Sequence, residues 1–181
     1  MIIQDLIKKW EINNSWTLFL DRDGVINHET VGNYITSVKD FKFIEKSEDS
    51  IAYLTSFFNK TIIVTNQQGI GKKLMSEADL KAIHSHMTNC IENKGGKIDA
   101  IYHSPFLTAE KNPIQKPGVG MGLKAKEKFP EIDFKKSIMI GNSERDLIFG
   151  RSLNMKTIFI GESNNNHNYD LCIKRLNDFI K

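Results

Sequence analysis

The stretch Leu18-Phe19-Leu20-Asp21-Arg22-Asp23-Gly24-Val25-Ile26-Asn27 guides the interpretation of the whole chain. Its apolar beginning, from Trp16 to Leu20, predicts a buried β-strand. The strand ends in two carboxylates separated by one residue, and Gly24 permits a tight turn there. Carboxylates at the end of a central parallel strand can hold a hard cation, or divide the roles of nucleophile and general acid. A solvated turn at the end of a strand is the alternative interpretation.

The composition is typical of a soluble globular protein, with 40% hydrophobic and 26% charged residues among 181. This length predicts a single domain, 1–181, in which residues 1–14 form an N-terminal helical extension. A formal charge of +3 is too small to indicate nucleic-acid binding by itself, and it suits a site for an anionic metabolite.

The cysteines and the apolar runs bear on where the protein works. Cys90 and Cys172 lie in apolar, helix-like patterns, so we interpret them as buried thiols and not as a disulfide or metal ligands. No apolar run is long enough to span a bilayer, and the N-terminal lysines follow the apolar residues, the reverse of a signal peptide. We therefore expect a cytoplasmic location.

Hydrophobic periodicity predicts strands that alternate with helices. Beyond the first strand, the predicted strands are 61–64, 98–102, 137–140 and 156–160, and the predicted helices are 2–10, 47–58, 76–93, 118–129, 147–153 and 169–179. Ser47 and Ser76 are the predicted N-caps of two of these helices. His84 and His86 face different directions on one helix, and we interpret them as surface or packing residues. The pattern predicts an α/β fold, a three-layer sandwich around a mostly parallel, Rossmann-like sheet.

Polar residues follow several of the predicted strands. Thr65 and Asn66 come after the second strand, and Asn142 and Asp146 after the fourth. Sites in parallel sheets lie beyond the carboxyl ends of the strands, where such groups can contact a phosphoryl oxygen or a cation. Lys116, at a predicted helix start, can neutralise charge on a transferring phosphoryl group. Turn-forming side chains and a solvated lysine are the alternatives.

The segment 27–46 has no clean period. A loop of this length beside a catalytic strand predicts a substrate-facing flap, and a plain surface excursion is the alternative.

Taken together, these motifs resemble the four motifs of the haloacid dehalogenase (HAD) phosphatases, in order, over residues 16–161. The stretches DRDGVIN, TNQQGIG and KPGVGM are similar to a subgroup of small HAD phosphatases without a large cap domain. That subgroup includes the heptose bisphosphate and histidinol-phosphate phosphatases.

The resemblance implies a role for each motif residue. Asp21 is the nucleophile that forms an aspartyl-phosphate, and Asp23 is the general acid and base. Substrate binding falls to Thr65, Asn66 and Lys116. The resemblance also implies Mg²⁺ as the cofactor, with metal ligands Asp21, Asp23 (through its carbonyl oxygen), Asn142 and Asp146.

The chain departs from the family pattern in three places. The relatives' four-ligand zinc loop is replaced here by Ser104, Phe106, Asn112 and Ile114. These residues are not a ligand set, so we expect no structural zinc. Gln115 replaces an arginine that would bind a phosphate bidentately, which puts binding of a second phosphate in doubt. Asn142 replaces an aspartate.

The resemblance therefore implies a Mg²⁺-dependent phosphomonoester hydrolase of a small phosphorylated metabolite. Its favoured substrate is D-glycero-D-manno-heptose 1,7-bisphosphate, cleaved at the 7-phosphate. The alternatives are a histidinol-phosphate phosphatase, a polynucleotide 3′-phosphatase and a catalytically weak HAD protein that binds a ligand. We expect no nucleic-acid or membrane partner, and a monomer.

Overall fold

A computed structural model describes residues 3–30, 32–163 and 168–180. The strands in these residues are β1 (Thr17–Leu20), β2 (Lys60–Asn66), β3 (Ala100–Ser104), β4 (Ser137–Gly141), β5 (Lys156–Ile160) and β6 (Leu171–Ile173). The α-helices are α1 (Ile3–Trp10), α2 (Ser47–Thr55), α3 (Gln68–Gly71), α4 (Glu77–Asn93), α5 (Gly120–Lys128) and α6 (Glu144–Ser152). Short 3₁₀ turns cover Thr108–Glu110, Phe134–Lys136 and Leu176–Phe179. No described helix is long and apolar enough to cross a lipid bilayer.

The six strands form one sheet in the order β3-β2-β1-β4-β5-β6. Each pair of neighbouring strands is parallel, and β1 lies between β2 and β4, with Phe19 opposite Ile62 and Met139. The strand order reverses direction at β1, so the loops after β1 and its neighbours diverge and leave a crevice. The predicted parallel α/β sheet is confirmed. The crevice lies at the carboxyl end of β1, where Asp21 follows the strand.

Alternate strand residues face two separate cores. Leu18 and Leu20 belong to the core under α1, α2 and α4, whereas Phe19 belongs to the core under α5 and α6. Each of these three side chains has no solvent exposure. Helices cover both faces of the sheet, so the side chains on both faces are buried. This explains the continuous hydrophobic runs of the strands.

The N-terminal helix is part of the packed structure. Ile3 and Leu6 are each only 1% exposed and join the same core as Leu18. The predicted helix is confirmed over the described residues, and its predicted start at Ile2 lies outside them.

The predicted C-terminal helix is wrong. Leu171–Ile173 is a parallel edge strand paired with β5, and only a 3₁₀ turn follows it. Asp170 holds the segment extended: its carboxylate accepts from the Thr157 backbone N–H at 2.8 Å, and its own N–H donates to the Thr157 carbonyl at 3.0 Å. The backbone N–H and C=O groups of this segment form hydrogen bonds with β5, and not within a helix as the pattern predicted.

Two smaller predictions also change. Ser47 is the first residue of α2 and not its cap, because its hydroxyl donates to the Ile26 carbonyl at 2.6 Å. Both cysteines are free thiols, but they are half-buried rather than buried, and Cys172 lies on a strand. The capping box at Ser76 and Asp79 is confirmed, with the Asp79 N–H donating to Ser76 Oγ at 3.1 Å.

Candidate active site

A polar cleft of about 500 Å³ opens at the carboxyl ends of β1, β2 and β4. The structure brings together the predicted site residues, all of which line this cleft: Asp21, Asp23, Thr65, Asn66, Lys116, Asn142 and Asp146. From the 27–46 segment, Glu29, Thr30 and residues 32–35, which include Tyr34, line the cleft as well. Phe41 anchors the second half in the core, where its ring meets that of Phe43 at 5.0 Å. The segment therefore faces the site, as the flap interpretation predicted.

A buried ammonium in the cleft, that of Lys116, lies between two carboxylates. Lys116 Nζ is 2.6 Å from Asp146 Oδ1 and 2.9 Å from Asp21 Oδ1, and it donates to the Val64 carbonyl at 2.7 Å. Lys116 is 2% exposed and Asp146 is fully buried. We call Asp21, Lys116 and Asp146 the ion triad.

Burial and charge act on the triad in opposite directions. Burial, followed by the charge of Asp146, raises the pKa of Asp21 to about 7, and the ammonium of Lys116 opposes this rise. Burial lowers the pKa of Lys116, but the charges of Asp146 and Asp21 outweigh it and leave that pKa above its ordinary value. The ammonium is therefore permanent near neutral pH, whereas Asp21 is poised between its two states.

Asp23 is held by side chains that the sequence interpretation did not identify. Arg22 Nη2 donates to both of its carboxylate oxygens, at 2.8 and 2.9 Å. Asn27 Nδ2 and Gln67 Nε2 donate at 2.9 and 2.8 Å. Burial raises the pKa of Asp23, but the charge of Arg22 and these hydrogen bonds outweigh it and hold that pKa below its ordinary value. In this arrangement Asp23 is an ionised carboxylate.

The arginine that holds Asp23 is itself buried against a histidine. Arg22 is 1% exposed, and its Nη1 lies 3.2 Å from His84 Nε2. Burial, followed by the charges of Arg22 and His103, lowers the pKa of His84 to about 3. His84 is therefore neutral and accepts from Arg22, while His86 packs against Phe41, in the different direction that was predicted.

Asn66 contacts the main chain of Lys116. Its amide donates to the Lys116 carbonyl and accepts from the Lys116 N–H, both at 3.0 Å. The predicted phosphate-binding residue thus also holds the lysine-bearing loop in place. Thr65 is 1% exposed, and its hydroxyl accepts from Gln67 at 2.8 Å.

Glycines bring the fourth motif close to the first. Gly24 has φ +80°, and a Cβ built there would lie 2.0 Å from Asn142 Nδ2. A Cβ on Gly141 would lie 2.2 Å from the Asp146 Cβ. Because Gly24 has no side chain, Asn142 can pack against the loop that follows Asp21. Because Gly141 has none, Asp146 has room to reach Lys116.

The oxygen atoms at this point suit a hard cation such as Mg²⁺. Asp21, Asp23 and Asn142 line the same cleft, and Asn142 lies against Gly24, the residue after Asp23. Carboxylate, carbonyl and amide oxygens are the ligands that Mg²⁺ prefers. Asp146 is less free to bind, because its Oδ2 accepts from the Ser143 N–H at 3.0 Å and its Oδ1 contacts Lys116. Direct ligation by Asp146 would require one of these contacts to be exchanged.

The loop in which the sequence predicts no zinc ligands, around Ser104, Asn112 and Ile114, is held by hydrogen bonds. Ser104 is fully buried at the end of β3, and Ile114 packs on the second core. Asn112 Oδ1 accepts from the Ile114 N–H at 2.9 Å, and Gln68 Oε1 accepts from the Thr108 N–H at 2.9 Å. The absence of structural zinc stays a prediction.

Comparison with known proteins places this geometry among phosphatases. The model of the polynucleotide kinase 3 phosphatase family matches residues 17–171. The chain is 36% identical over 143 residues to a D-glycero-alpha-D-manno-heptose-1,7-bisphosphate 7-phosphatase of Campylobacter jejuni, covering 79% of this chain and 80% of the relative. It is 32% identical over 130 residues to a D-glycero-beta-D-manno-heptose-1,7-bisphosphate 7-phosphatase of Neisseria meningitidis, covering 72% and 68%.

A solved structure shows the same fold. The D,D-heptose 1,7-bisphosphate phosphatase from B. bronchiseptica, complexed with magnesium and phosphate, superposes with a TM-score of 0.78. The match covers 89% of this chain and 93% of that one, at 24% identity.

Proposed function

Because the chain belongs to the polynucleotide kinase 3 phosphatase family of HAD-like phosphatases, we propose that it hydrolyses a sugar phosphate through an aspartyl-phosphate on Asp21. The observation that carries this proposal is the ion triad, in which Lys116 Nζ lies 2.9 Å from Asp21 Oδ1 in the polar cleft. A fixed ammonium beside an attacking carboxylate stabilises the negative charge of the phosphoryl group as it is transferred.

In the first step, an oxygen of Asp21 attacks phosphorus and the bond from phosphorus to the ester oxygen breaks. Asp21 must be ionised to attack, and its pKa of about 7 means that part of the protein is protonated at neutral pH. Lys116 remains an ammonium throughout, because its pKa is raised by the two carboxylates. Thr65 and Asn66 line the wall of the cleft where the phosphoryl oxygens would lie.

Asp23 would give a proton to the leaving oxygen. In the second step it would remove a proton from a water that attacks phosphorus, and the bond from phosphorus to Asp21 would break to release phosphate and free the Asp21 carboxylate. Its contact with Arg22 favours the ionised form, which is suited to the second of these tasks. Rotation of the carboxylate out of the Arg22 contact removes the charge that lowers its pKa, so the protonated form becomes more favourable beside the ester oxygen.

A magnesium ion would be held by Asp21, the Asp23 carbonyl oxygen and Asn142. Asp146 would contribute through a bound water. When bound, the ion supplies positive charge that polarises the phosphoryl group and favours ionised Asp21.

We propose a heptose 1,7-bisphosphate as the substrate, cleaved at the 7-phosphate. The support is the name of the curated relatives at 32–36% identity. These relatives differ in the anomer they are named for, so we propose the sugar without choosing the anomer. Histidinol phosphate is the alternative implied by the resemblance of the motifs. A second candidate function, removal of a polynucleotide 3′-phosphate, is favoured by the description of the matching family.

The test is phosphate release with Mg²⁺ from a panel of substrates. The panel contains both heptose 1,7-bisphosphate anomers, histidinol phosphate and a 3′-phosphorylated oligonucleotide. We expect the highest kcat/KM for one of the heptose bisphosphates. A higher value for the oligonucleotide or for histidinol phosphate would overturn the proposed substrate.

A nucleophile variant tests the chemistry. Asp21→Asn should abolish phosphate release while leaving the circular dichroism spectrum unchanged. Asp49→Asn is the matched control, because Asp49 is a partly exposed carboxylate 3.0 Å from Lys94 that is not among the residues lining the cleft. Full activity of Asp21→Asn would rule out the aspartyl-phosphate.

We further propose that residues 1–181 act as one monomeric domain in the cytoplasm, with 1–14 as its extension and with no nucleic-acid partner. The support is that the described residues include few exposed large apolar side chains, none of them adjacent in sequence: Val38, Tyr53, Leu74, Leu123 and Ile180. Free cysteines are typical of proteins in a reducing compartment.

A further inference from the structure

The walls of the cleft carry two cations that the proposed chemistry does not use. Lys72, in the turn after α3, and Arg145, in the first turn of α6, both line the cleft and are exposed to solvent. They come from opposite sides of the sheet's central strand, because α3 follows β2 and α6 follows β4. The cleft is therefore bordered by positive charge on both sides of Asp21.

The inner charges of the cleft are already compensated. Lys116 is paired with Asp21 and Asp146, and Asp23 is paired with Arg22. By contrast, no ion pair between described residues includes Lys72 or Arg145. These two cations are the part of the cleft's positive charge that is available to a ligand, and Glu29, which also lines the cleft, accepts from Asn142 Nδ2 at 3.3 Å.

Lys72 is positioned by the flap segment. Its Nζ lies 5.1 Å from the centre of the Tyr34 ring, and Tyr34 lines the same cleft. A cation over an aromatic face is attracted to it without losing its charge, so the contact fixes the ammonium and leaves its donors free. The ring therefore holds Lys72 toward the space between the flap and the sheet.

Gln115 cannot provide this charge from its own position. It is 6% exposed, its Nε2 has no hydrogen-bond partner in the described chain, and it is not among the residues that line the cleft. Gln115 thus supplies no charge to the cleft, whereas Lys72 and Arg145 supply cations from other elements.

We propose that Lys72 and Arg145 form a subsite for a second anionic group of the substrate, a phosphate monoester dianion at the end remote from the scissile bond. This inference rests on the proposed sugar-phosphatase function and deepens it. With the transferring phosphoryl group at Asp21, a second phosphate on the same sugar reaches toward the mouth of the cleft, where these cations lie. Both act by charge, so binding weakens as salt screens them.

The decisive variant is Lys72→Ala, with Lys73→Ala as its matched control. Lys73 is the next residue, carries the same charge and is equally exposed, but it does not line the cleft. For each protein, kcat/KM is measured for heptose 1,7-bisphosphate and for heptose 7-phosphate. We expect Lys72→Ala and Arg145→Gln each to lower the ratio of the two values about tenfold, since a hydrogen bond to a charged group is worth at least that factor. Lys73→Ala should leave the ratio unchanged.

A binding measurement separates this proposal from the proposed function. Calorimetric titration of heptose 1,7-bisphosphate into Asp21→Asn protein requires no turnover, and adding Lys72→Ala should weaken the affinity about tenfold. Equal losses for both substrates, or an unchanged affinity in the titration, would overturn the subsite. Failure of the wild type to release phosphate from the bisphosphate would contradict the proposed function alone, because the titration still reports on the subsite.

Discussion

Removing the ammonium of the ion triad should destabilise the protein strongly, although the new side chain is apolar and fits the space. In Lys116→Met, two buried carboxylates lose the only cation between them. The contacts are 2.6 Å to Asp146 and 2.9 Å to Asp21. Each corresponds to a gross attraction of roughly 6 kcal/mol at an effective dielectric of about 20, much of which is cancelled by desolvation.

The net loss follows from what remains after the substitution. Removing one partner of a buried ion pair leaves an uncompensated buried charge and typically costs about 3–5 kcal/mol. We expect the free energy of unfolding of Lys116→Met to fall by about that amount at pH 8. The measurement is urea unfolding at equilibrium, in the presence of a chelator so that no divalent cation replaces the ammonium.

The double variant tests the physical reason. Asp146→Asn removes one of the two carboxylates while keeping its shape, so Lys116→Met combined with Asp146→Asn should be less destabilised than the sum of the single losses. The coupling energy should be at least about 1 kcal/mol. If the two losses add within about 0.3–0.5 kcal/mol, Lys116 and Asp146 are not energetically coupled and the argument is refuted.

The pH dependence has a definite sign. Without Lys116, the pKa of Asp21 in the folded state rises further above its unfolded value, so the folded protein binds more protons than the unfolded one across the interval between them. Stability then falls as pH rises through this interval. The deficit of Lys116→Met relative to wild type should therefore be larger at pH 8 than at pH 5.

Three further predictions follow from other contacts. Asn142→Asp should lower the Mg²⁺ concentration for half-maximal activity about tenfold, because a carboxylate replaces an amide dipole beside the cation; an unchanged midpoint would remove Asn142 from the ligands. Burial and the charge of Arg22 lower the pKa of His84 to about 3, below its unfolded value of 6.5, so its contribution to stability is present above pH 6.5 and is lost as pH falls toward 3. His84→Gln should reduce the loss of unfolding free energy between pH 7 and pH 5 by about 1–2 kcal/mol, and an identical pH profile would contradict a neutral buried His84. Gly24→Ala should lower the free energy of unfolding more than Gly95→Ala, because both glycines have φ near +80° but only a Cβ at Gly24 meets Asn142. Both variants should lose about 1–2 kcal/mol from the strained backbone. Equal losses would argue against the close approach of Asn142 to Gly24.

Local sequence patterns were sufficient for most of the elements. The β-branched run at 156–160 forms β5 with the predicted bounds, and the capping box at Ser76 sets the start of α4. Both signals lie within a few residues of sequence. A buried strand shows a continuous apolar run, and the start of a helix shows an N-cap side chain that pairs with the residue three positions later. The C-terminal segment was misassigned because a three-residue edge strand has too few residues to display its own period, and its pairing with β5 lies outside any local window.

The order of the motifs also followed from sequence. Asp21 and Asn142 stand directly after β1 and β4, whereas Thr65, predicted to follow the second strand, lies in the last residues of β2. Parallel strands bring their carboxyl ends to one edge of the sheet. A parallel sheet is enough to place these residues in one cleft, so the sequence could predict them as candidate site residues.

What the sequence by itself determined was therefore the fold class and the residues that meet at the cleft. Only the tertiary structure decided which polar groups contact each other there. Arg22 reaches His84, 62 residues away, and Asn66 holds the main chain of Lys116, 50 residues away. The physical reason is that periodicity encodes which face of an element is buried, whereas the partner of a buried polar group depends on how separate strand ends are placed in space.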